Sequence, residues 1–542
     1  MFASMLTFNP RSKATNIGYA LFCGAVFGCW SEIAYWRGWK FFITTSSLIK
    51  SRNIHNIILA DGPAGLRLSP IFTVDDGQNV TWQKPALGND FMDIFMKQDN
   101  RPLKEKEVTY YQYCTGIPTA TLLAQTWDKE ALYEAGDIVG SEMKEFGIML
   151  WLAPGMNIQR NPLCGRNFEY YSEDPFLSGK MAAAVVRGVQ EEGTCGAVIK
   201  HFACNNQEDN RMGVDVKISE RTLREIYLRG FEIAVKEGQP TAIMSSYNQI
   251  NGVYANENQD LLQKLLRDTF GFHGIVVSDW GASNDHTEGV RCGSNLEMPG
   301  NSGTTAKELV RAVQKGRLDE KILDKRIDEI LTTMLPVHQL VEMGKKSFDA
   351  EEHHKLARKA AAQSIVLLKN QDNILPLSEN KTVAVIGEFA EKARYQGAGS
   401  SLVNPTKVEN IMDIIDGYSF KKVIYEPGYH RNQKTDHRLL ECAKKAAAEA
   451  DTVLLFVGLD EASESEGMDR VHMKMPQNQL ELINAVTGMN TETVVIVSAG
   501  SVVEMPWIQK VKAVVHGYLG GQAGASAMLD VITGKTNPSG KL

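Results

Sequence analysis

The chain holds 542 residues, 43% hydrophobic and 23% charged, the proportions of a soluble globular protein too long for one core; two or three domains are expected. A formal net charge of −7 offers no basic field, which excludes nucleic acid as a partner. Eight cysteines are scattered without a Cys-x-x-Cys pair or zinc-type Cys/His spacing, so no metal is expected, and buried reduced thiols favour a cytoplasmic setting.

The stretch from Ala14 to Ser31 carries no charge and follows Arg11 and Lys13, the form of a signal peptide or short anchor. Polar residues interrupt it, it is shorter than a bilayer span, and no small-x-small site closes it. A membrane span is therefore not expected; secretion or anchoring stays open as the alternative. Trp30, Trp36 and Trp39 crowd into the same corner.

From there the chain repeats one grammar, an apolar run followed at once by polar groups. Ile57–Ala60 leads to Asp61, Ile148–Leu152 to Asn157, Ala197–Ile199 to Lys200 and His201, and Ala242–Met244 to Tyr247 and Asn248. Residues 68–118 read as a long irregular rim with a solvated charge run at Lys104–Glu107. Helical patterns fill the gaps. Asp128 can cap one with Leu132, Ala135, Ile138, Val139, Met143 and Phe146 on one face and Gly147 at its end. Ser219 can cap a second carrying Leu223, Ile226, Tyr227 and Phe231 up to Gly238. A third holds Leu261, Leu262, Leu265 and Leu266 before Gly271. Alternating strand and helix predicts a parallel α/β architecture, a (β/α)8-like barrel over residues 54–335 after an atypical segment 1–53. A doubly wound sheet would call for Gly-x-Gly-x-x-Gly after the first strand, which is absent. Residues 336–378 read as a linker. Over 379–542, runs at Val383–Ile386, Val453–Val457, Val494–Val497 and Val511–Val515 alternate with helices such as Leu439–Ala450, predicting an α/β sandwich domain.

The most informative run is Gly274-Ile275-Val276-Val277-Ser278-Asp279-Trp280. Four consecutive positions built for burial read as a strand covered on both faces. Its C-terminal end presents Asp279 beside an aromatic ring, at the end of a barrel strand where catalytic groups sit. In isolation Asp279 reads first as the cap of a following helix. The sandwich contributes an acidic stretch, Glu461 to Arg470, that by itself is an exposed charged loop; Gly467 and Arg470 also permit a structured turn. Acetal hydrolysis calls for one carboxylate to attack and one acid to protonate the departing oxygen, and the chain offers such a pair on two domains.

Ordered along the chain stand Leu59-Ala60-Asp61-Gly62-Pro63-Ala64-Gly65-Leu66-Arg67, Gly165-Arg166-Asn167-Phe168-Glu169-Tyr170-Tyr171-Ser172-Glu173-Asp174-Pro175 and Lys200-His201-Phe202-Ala203-Cys204-Asn205-Asn206 with Arg211. Met244–Asn248, the Asp279 strand, Leu296–Gly300, Ser364–Asn370, Gly397–Ser400, Glu466–Arg470 and Asn537–Leu542 follow. In these motifs the chain resembles glycoside hydrolase family 3, in its β-glucosidase branch, from about Ile54 onward. The resemblance implies a retaining exo-β-glycosidase without cofactor, with Asp279 as nucleophile and Glu466 as acid/base; Glu464 is the alternative acid. Glu466 is expected to keep its proton near neutral pH through burial and nearby negative charge. By the same resemblance Asp61 and Arg67 take outer hydroxyls, and Arg166, Lys200, His201 and Arg211 surround the ring. Trp280 stacks under it, Tyr247 steadies the nucleophile and Ser400 closes the site. For Arg211 and Ser400 a buried salt bridge or cap is the competing role.

The implied partner is a small oligosaccharide or an aryl or alkyl β-glycoside ending in β-linked glucose. A β-xylosidase or arabinofuranosidase and a catalytically impaired carbohydrate-binding relic are the alternatives. Residues 8–51 depart from the resemblance, which implies an amphipathic helix there, and are expected to leave apolar surface uncovered. The family pattern also runs past Leu542 into a last strand and a fibronectin-like domain, so the sandwich is expected to be C-terminally incomplete.

Overall fold

The computed structural model describes residues 43–45, 57–75, 80–84, 107–191, 193, 195–301, 303–343 and 347–542. Most of segment 8–51 lies outside these residues; within it, Ile43–Thr45 is a strand antiparallel to Ile58–Ala60. Beyond Ile58–Ala60 the sheet continues in parallel through Leu150–Trp151, Gly196–Phe202, Ala242–Ser245 and Ile275–Ser278. A parallel bridge from Val277 to Leu296 carries it one step further. Gly196–Phe202 and Ile275–Ser278 are buried at every position, as runs without polar alternation must be.

Helices cover the outside of this sheet. Asp128 caps Lys129–Phe146 through the Glu130 N–H, and Gly147 closes it in the left-handed conformation at φ 67°. Asp174 caps Pro175–Gln190, whose proline occupies the first turn, where its missing N–H costs nothing. The helix expected after Ser219 does begin there, but a wide i→i+5 turn at Leu223–Tyr227 interrupts it before Arg229–Gly238. The extra residue per turn shifts the register, so Leu228 is buried and Ile226 is 37% exposed, against the expected apolar face. Leu261, Leu262, Leu265 and Leu266 are all buried, each worth roughly 1.5–3 kcal/mol of transfer.

Residues 68–118 are less irregular than their composition suggests. Ile71–Val74 pairs antiparallel with both Val80–Lys84 and Val108–Tyr111. These strands escaped the sequence reading because they are short and half exposed, with little apolar contrast between faces.

The second layered unit has strand order Val366–Asn370, Ala513–His516, Thr493–Ser498, Thr452–Gly458, Thr382–Ile386, Lys422–Glu426, the first antiparallel and the rest parallel. Alternate residues serve opposite cores: Val494 and Ile496 on one face, Val495 and Val497 on the other. Stretch 336–378 contains the helix Ala350–Ser364 and the edge strand Val366–Asn370. That helix ties the units together, with His353 Nδ1 2.9 Å from Glu142 of the barrel and His354 Nε2 2.8 Å from Glu409 of the sandwich. The architecture is a (β/α)8-like barrel followed by an α/β sandwich, and among the described residues the barrel sheet is curled and open-edged.

Candidate active site

The carboxyl ends of the parallel barrel strands deliver one group of polar side chains. Asp61 follows Ile58–Ala60, Lys200 and His201 end Gly196–Phe202, and Asp279 follows Ile275–Ser278. Lys200 Nζ is buried and donates to Asp61 Oδ1 at 2.8 Å, with Glu169 at 3.8 Å. The two carboxylates outweigh the cost of burying the ammonium and push its pKa up. Arg67 turns back under Asp61, its N–H donating to the Asp61 carbonyl at 2.8 Å, and burial lowers its pKa to about 10.

Asp279 is held by its own neighbour: the Trp280 N–H donates to Oδ1 at 2.7 Å. Oδ2 makes no hydrogen bond of normal geometry among the described residues and lies 3.6 Å from His201 Nε2. Burial pushes the Asp279 carboxyl up, against the opposing pull of Arg166, the Trp280 N–H and Lys200. His201 is driven well below the usual imidazole range, first by burial and then by Arg166, Lys200 and Arg211, so its ring is neutral. Nδ1 of that ring meets the Tyr170 hydroxyl at 3.2 Å and Asn157 Oδ1 at 3.3 Å. Trp280 is 41% exposed.

Arg166 joins the two units. It donates from Nε and Nη2 to the carboxylate of Glu169 at 2.8 and 2.9 Å, and its Nη1 lies 3.7 Å from Glu466. Its Nη2 also reaches the Ser400 hydroxyl at 3.5 Å. Glu466 accepts from Arg211 Nη1 at 2.9 Å through Oε1 and from the Ser400 N–H at 2.7 Å through Oε2. Gly399, at φ 86°, lies so close that a Cβ there would overlap the Glu466 side chain. Arg211 in turn stacks on the Tyr247 ring at 4.9 Å. Burial and the Asp279 charge push the Tyr247 hydroxyl up.

The expected proton on Glu466 is corrected here. Burial does push this carboxyl up, but Arg166, Arg211 and the Ser400 N–H override it and hold it well below the usual carboxylate range. The sequence reading counted the negative charges along the loop; the fold brings two guanidiniums from the barrel instead. Glu464 is differently placed. It is fully buried, accepts from the Gly500 N–H at 2.8 Å and the Ser501 hydroxyl at 2.5 Å, and pairs with Arg394 at 3.5 Å. Those bonds are internal to the sandwich.

The turn after Glu466 is clasped to the barrel. Asp469 accepts from the N–H groups of Gly165, Glu208 and Asp209 at 3.1, 2.9 and 3.1 Å. Gly165 must be glycine, since a Cβ would overlap the Met468 carbonyl. Glu208 accepts from the Gly467 N–H at 2.8 Å and from Arg211 at 2.6 Å. Glu169, Glu208, Asp469, Asn157 and Tyr170 received no roles from the sequence. The signal for two of them was present, as Arg166 with Glu169 and Glu208 with Arg211 both stand at i,i+3.

The arrangement is two carboxylates, one from each unit, among cations and polyol-type donors, as carbohydrate chemistry on an α/β barrel demands. Residues 105–333 match the glycosyl hydrolase family 3 N terminal domain and residues 365–542 the C-terminal domain. Thermostable beta-glucosidase B of Acetivibrio thermocellus is 48% identical over 433 residues, 79% of this chain and 57% of that protein. Exo-alpha-(1->6)-L-arabinopyranosidase of Bifidobacterium breve is 39% identical over 505 residues, 91% of this chain and 62% of that protein. The chain thus spans about three fifths of the length of these relatives. The structure of beta-glucosidase 3B from Thermotoga neapolitana with α-D-glucose superposes at a TM-score of 0.82 and 32% identity, covering 98% of this chain and 75% of that one. The chain belongs to glycosyl hydrolase family 3.

Proposed function

We propose that the chain is a retaining, exo-acting β-glucosidase that releases terminal non-reducing β-linked glucose from small oligosaccharides or aryl and alkyl glucosides. One observation carries the reading: a barrel carboxylate, Asp279, and a sandwich carboxylate, Glu466, meet across Arg166, Arg211 and Tyr247. Asp279 attacks the anomeric carbon through Oδ2 while the Trp280 N–H holds Oδ1. Glu466 protonates the leaving oxygen, then as a carboxylate takes a proton from the water that opens the glycosyl-enzyme. To act as acid it must loosen from Arg211, and the charge that departs when Asp279 is glycosylated alters the same field.

Asp61, Arg67, Arg166, Lys200, His201 and Arg211 bind the sugar hydroxyls in this reading, with the Trp280 ring beneath the sugar and Ser400 closing the site. The neutral His201 ring turns Nε2 toward Asp279, as a donor where Nδ1 accepts from the Tyr170 hydroxyl and as an acceptor where Nδ1 donates to Asn157 Oδ1, and either form can bond a sugar hydroxyl. The Bifidobacterium breve relative favours a second reading, a terminal α-L-arabinopyranosidase.

The test is a panel of nitrophenyl β-glucoside, β-xyloside, β-galactoside, α-arabinofuranoside and α-arabinopyranoside, with the first-formed anomer followed by proton NMR. Fastest release from the β-glucoside with β-glucose appearing first is expected. Preference for the arabinopyranoside would install the second reading, and inversion or no hydrolysis of any member would refute both.

A further inference from the structure

Glu208 is a buried carboxylate of the barrel that the reaction scheme leaves without a task. One of its oxygens, Oε2, accepts from Arg211 Nη1 at 2.6 Å and from the Gly467 N–H at 2.8 Å. Its other oxygen is buried without a hydrogen-bond partner among the described residues. The same Arg211 nitrogen serves Glu466 at 2.9 Å, so a single guanidinium nitrogen stands between two carboxylates. Gly467 is the residue next to the acid, and the backbone N–H of Glu208 is itself held by Asp469 at 2.9 Å. The loop and the barrel are thus tied through Glu208 in both directions.

We propose that Glu208 is a positioning residue for Glu466: by dividing Arg211 between two carboxylates and holding the Gly467 N–H, it fixes the seat of the acid loop and limits the grip of Arg211 on the acid. The inference rests on the glycosidase reading for its consequence, but the coupling itself is a property of the fold. Arg166 and Arg211 already hold Glu466 as an anion, and alone with them it would be held more strongly still. A second anion on Arg211 weakens that hold. The groups facing Glu208 are Arg166, Arg211 and Glu466, with Asp469 and Asp209 at the clasp and Tyr170 and Cys164 feeling its charge. Burial pushes the Glu208 carboxyl up and Glu466 adds to that, against the opposing effect of the two arginines and the Gly467 N–H.

Two measurements test this. In protein labelled with carboxyl-¹³C glutamate, the Glu208 resonance, identified by its loss in Glu208→Gln, should titrate at lower pH once Glu466→Gln removes the competing anion. An unmoved titration overturns the proposal whether or not the protein hydrolyses any glycoside. In kinetics, Glu208→Gln should lower kcat about tenfold on alkyl glucosides while sparing dinitrophenyl glucoside, and move the alkaline limb of kcat to lower pH. Glu208→Asp, which keeps the charge, should recover the limb, and in an Arg211→Met background the shift caused by Glu208→Gln should shrink. Equal losses on both leaving groups with an unmoved limb would mean Glu208 serves only the fold. Absence of hydrolysis by the native chain would strike the glycosidase reading, while the titration would still decide whether the coupling exists.

Discussion

The two sides of the site are held by different means. On the barrel side Asp279 is fixed by the strand that precedes it and by the N–H that follows it, and Lys200 pairs with Asp61 at a strand end two places along the same sheet. On the sandwich side the Glu466 carboxylate has no partner from its own loop among the described residues: Arg166 and Arg211 come from the barrel and Ser400 from another sandwich loop. Position on the first side is a matter of one sheet. On the second it depends on how two units dock, through Asp469, Glu208 and the Ala350–Ser364 helix. Attack and protonation should therefore fail differently when the molecule is disturbed.

The largest effect belongs to Asp279→Asn. The amide is nearly isosteric but cannot attack, so kcat should fall by at least about 10⁴-fold on every glycoside, with the melting temperature little changed. Retention of substantial turnover would remove the nucleophile from the barrel side and erase the contrast.

Next comes Glu466→Ala. Loss of a general acid typically costs about 10²–10⁴-fold. That loss should appear on alkyl and sugar leaving groups, while dinitrophenyl glucoside, which departs unprotonated, is attacked almost normally and azide accelerates the second step. Finding this pattern in Glu464→Gln instead would move the acid to the wrong carboxylate, since Glu464 is bonded inside the sandwich.

A smaller effect separates docking from chemistry. Asp469→Asn keeps the size of the clasp but weakens bonds from three N–H groups, each charge-assisted contact being worth roughly 1.5–3 kcal/mol when desolvated. Alkyl glucoside turnover should fall about tenfold with activated glucosides nearly unaffected. Equal losses on both classes would show that the clasp positions nucleophile and acid alike.

The smallest is a shift in pH. As the proposed nucleophile Asp279 must be ionised to attack, and burial raises its carboxyl above the ordinary aspartate value of 3.8. Activity is then present above the raised value and lost as pH falls through it. The acid limb of kcat/KM should lie above 3.8 and move further up in Lys200→Met, which removes one of the cations that favour the anion. A limb that moves down in that variant would contradict the assigned field.

The barrel side was the more legible of the two in sequence, for the same reason that it is the more locally held. Ile275–Ser278 announces a strand buried on both faces, and the carboxylate at its end follows by position alone. The grip on Glu466 was not legible, because Arg211 lies 255 residues away and no periodicity connects them. The i,i+3 pairs Arg166–Glu169 and Glu208–Arg211 were visible as spacings, but both sit outside long helices, where such spacing has no fixed geometry. Ile226 misled for a backbone reason, the wide turn that hands its buried place to Leu228. The sheet of Ile71–Val74, Val80–Lys84 and Val108–Tyr111 was hidden by short strands with weak alternation.

The central claim is that the barrel carboxylate forms the covalent bond and the sandwich carboxylate manages the proton. Incubating the native chain with a 2-deoxy-2-fluoro-β-glucoside bearing a dinitrophenyl leaving group, followed by proteolysis and mass spectrometry, tests it most directly. A stoichiometric label on the peptide containing Asp279 is the expected result. A label on Glu466 or any other carboxylate, or steady turnover of ordinary glucosides with no trapped intermediate and an inverted product, would contradict it.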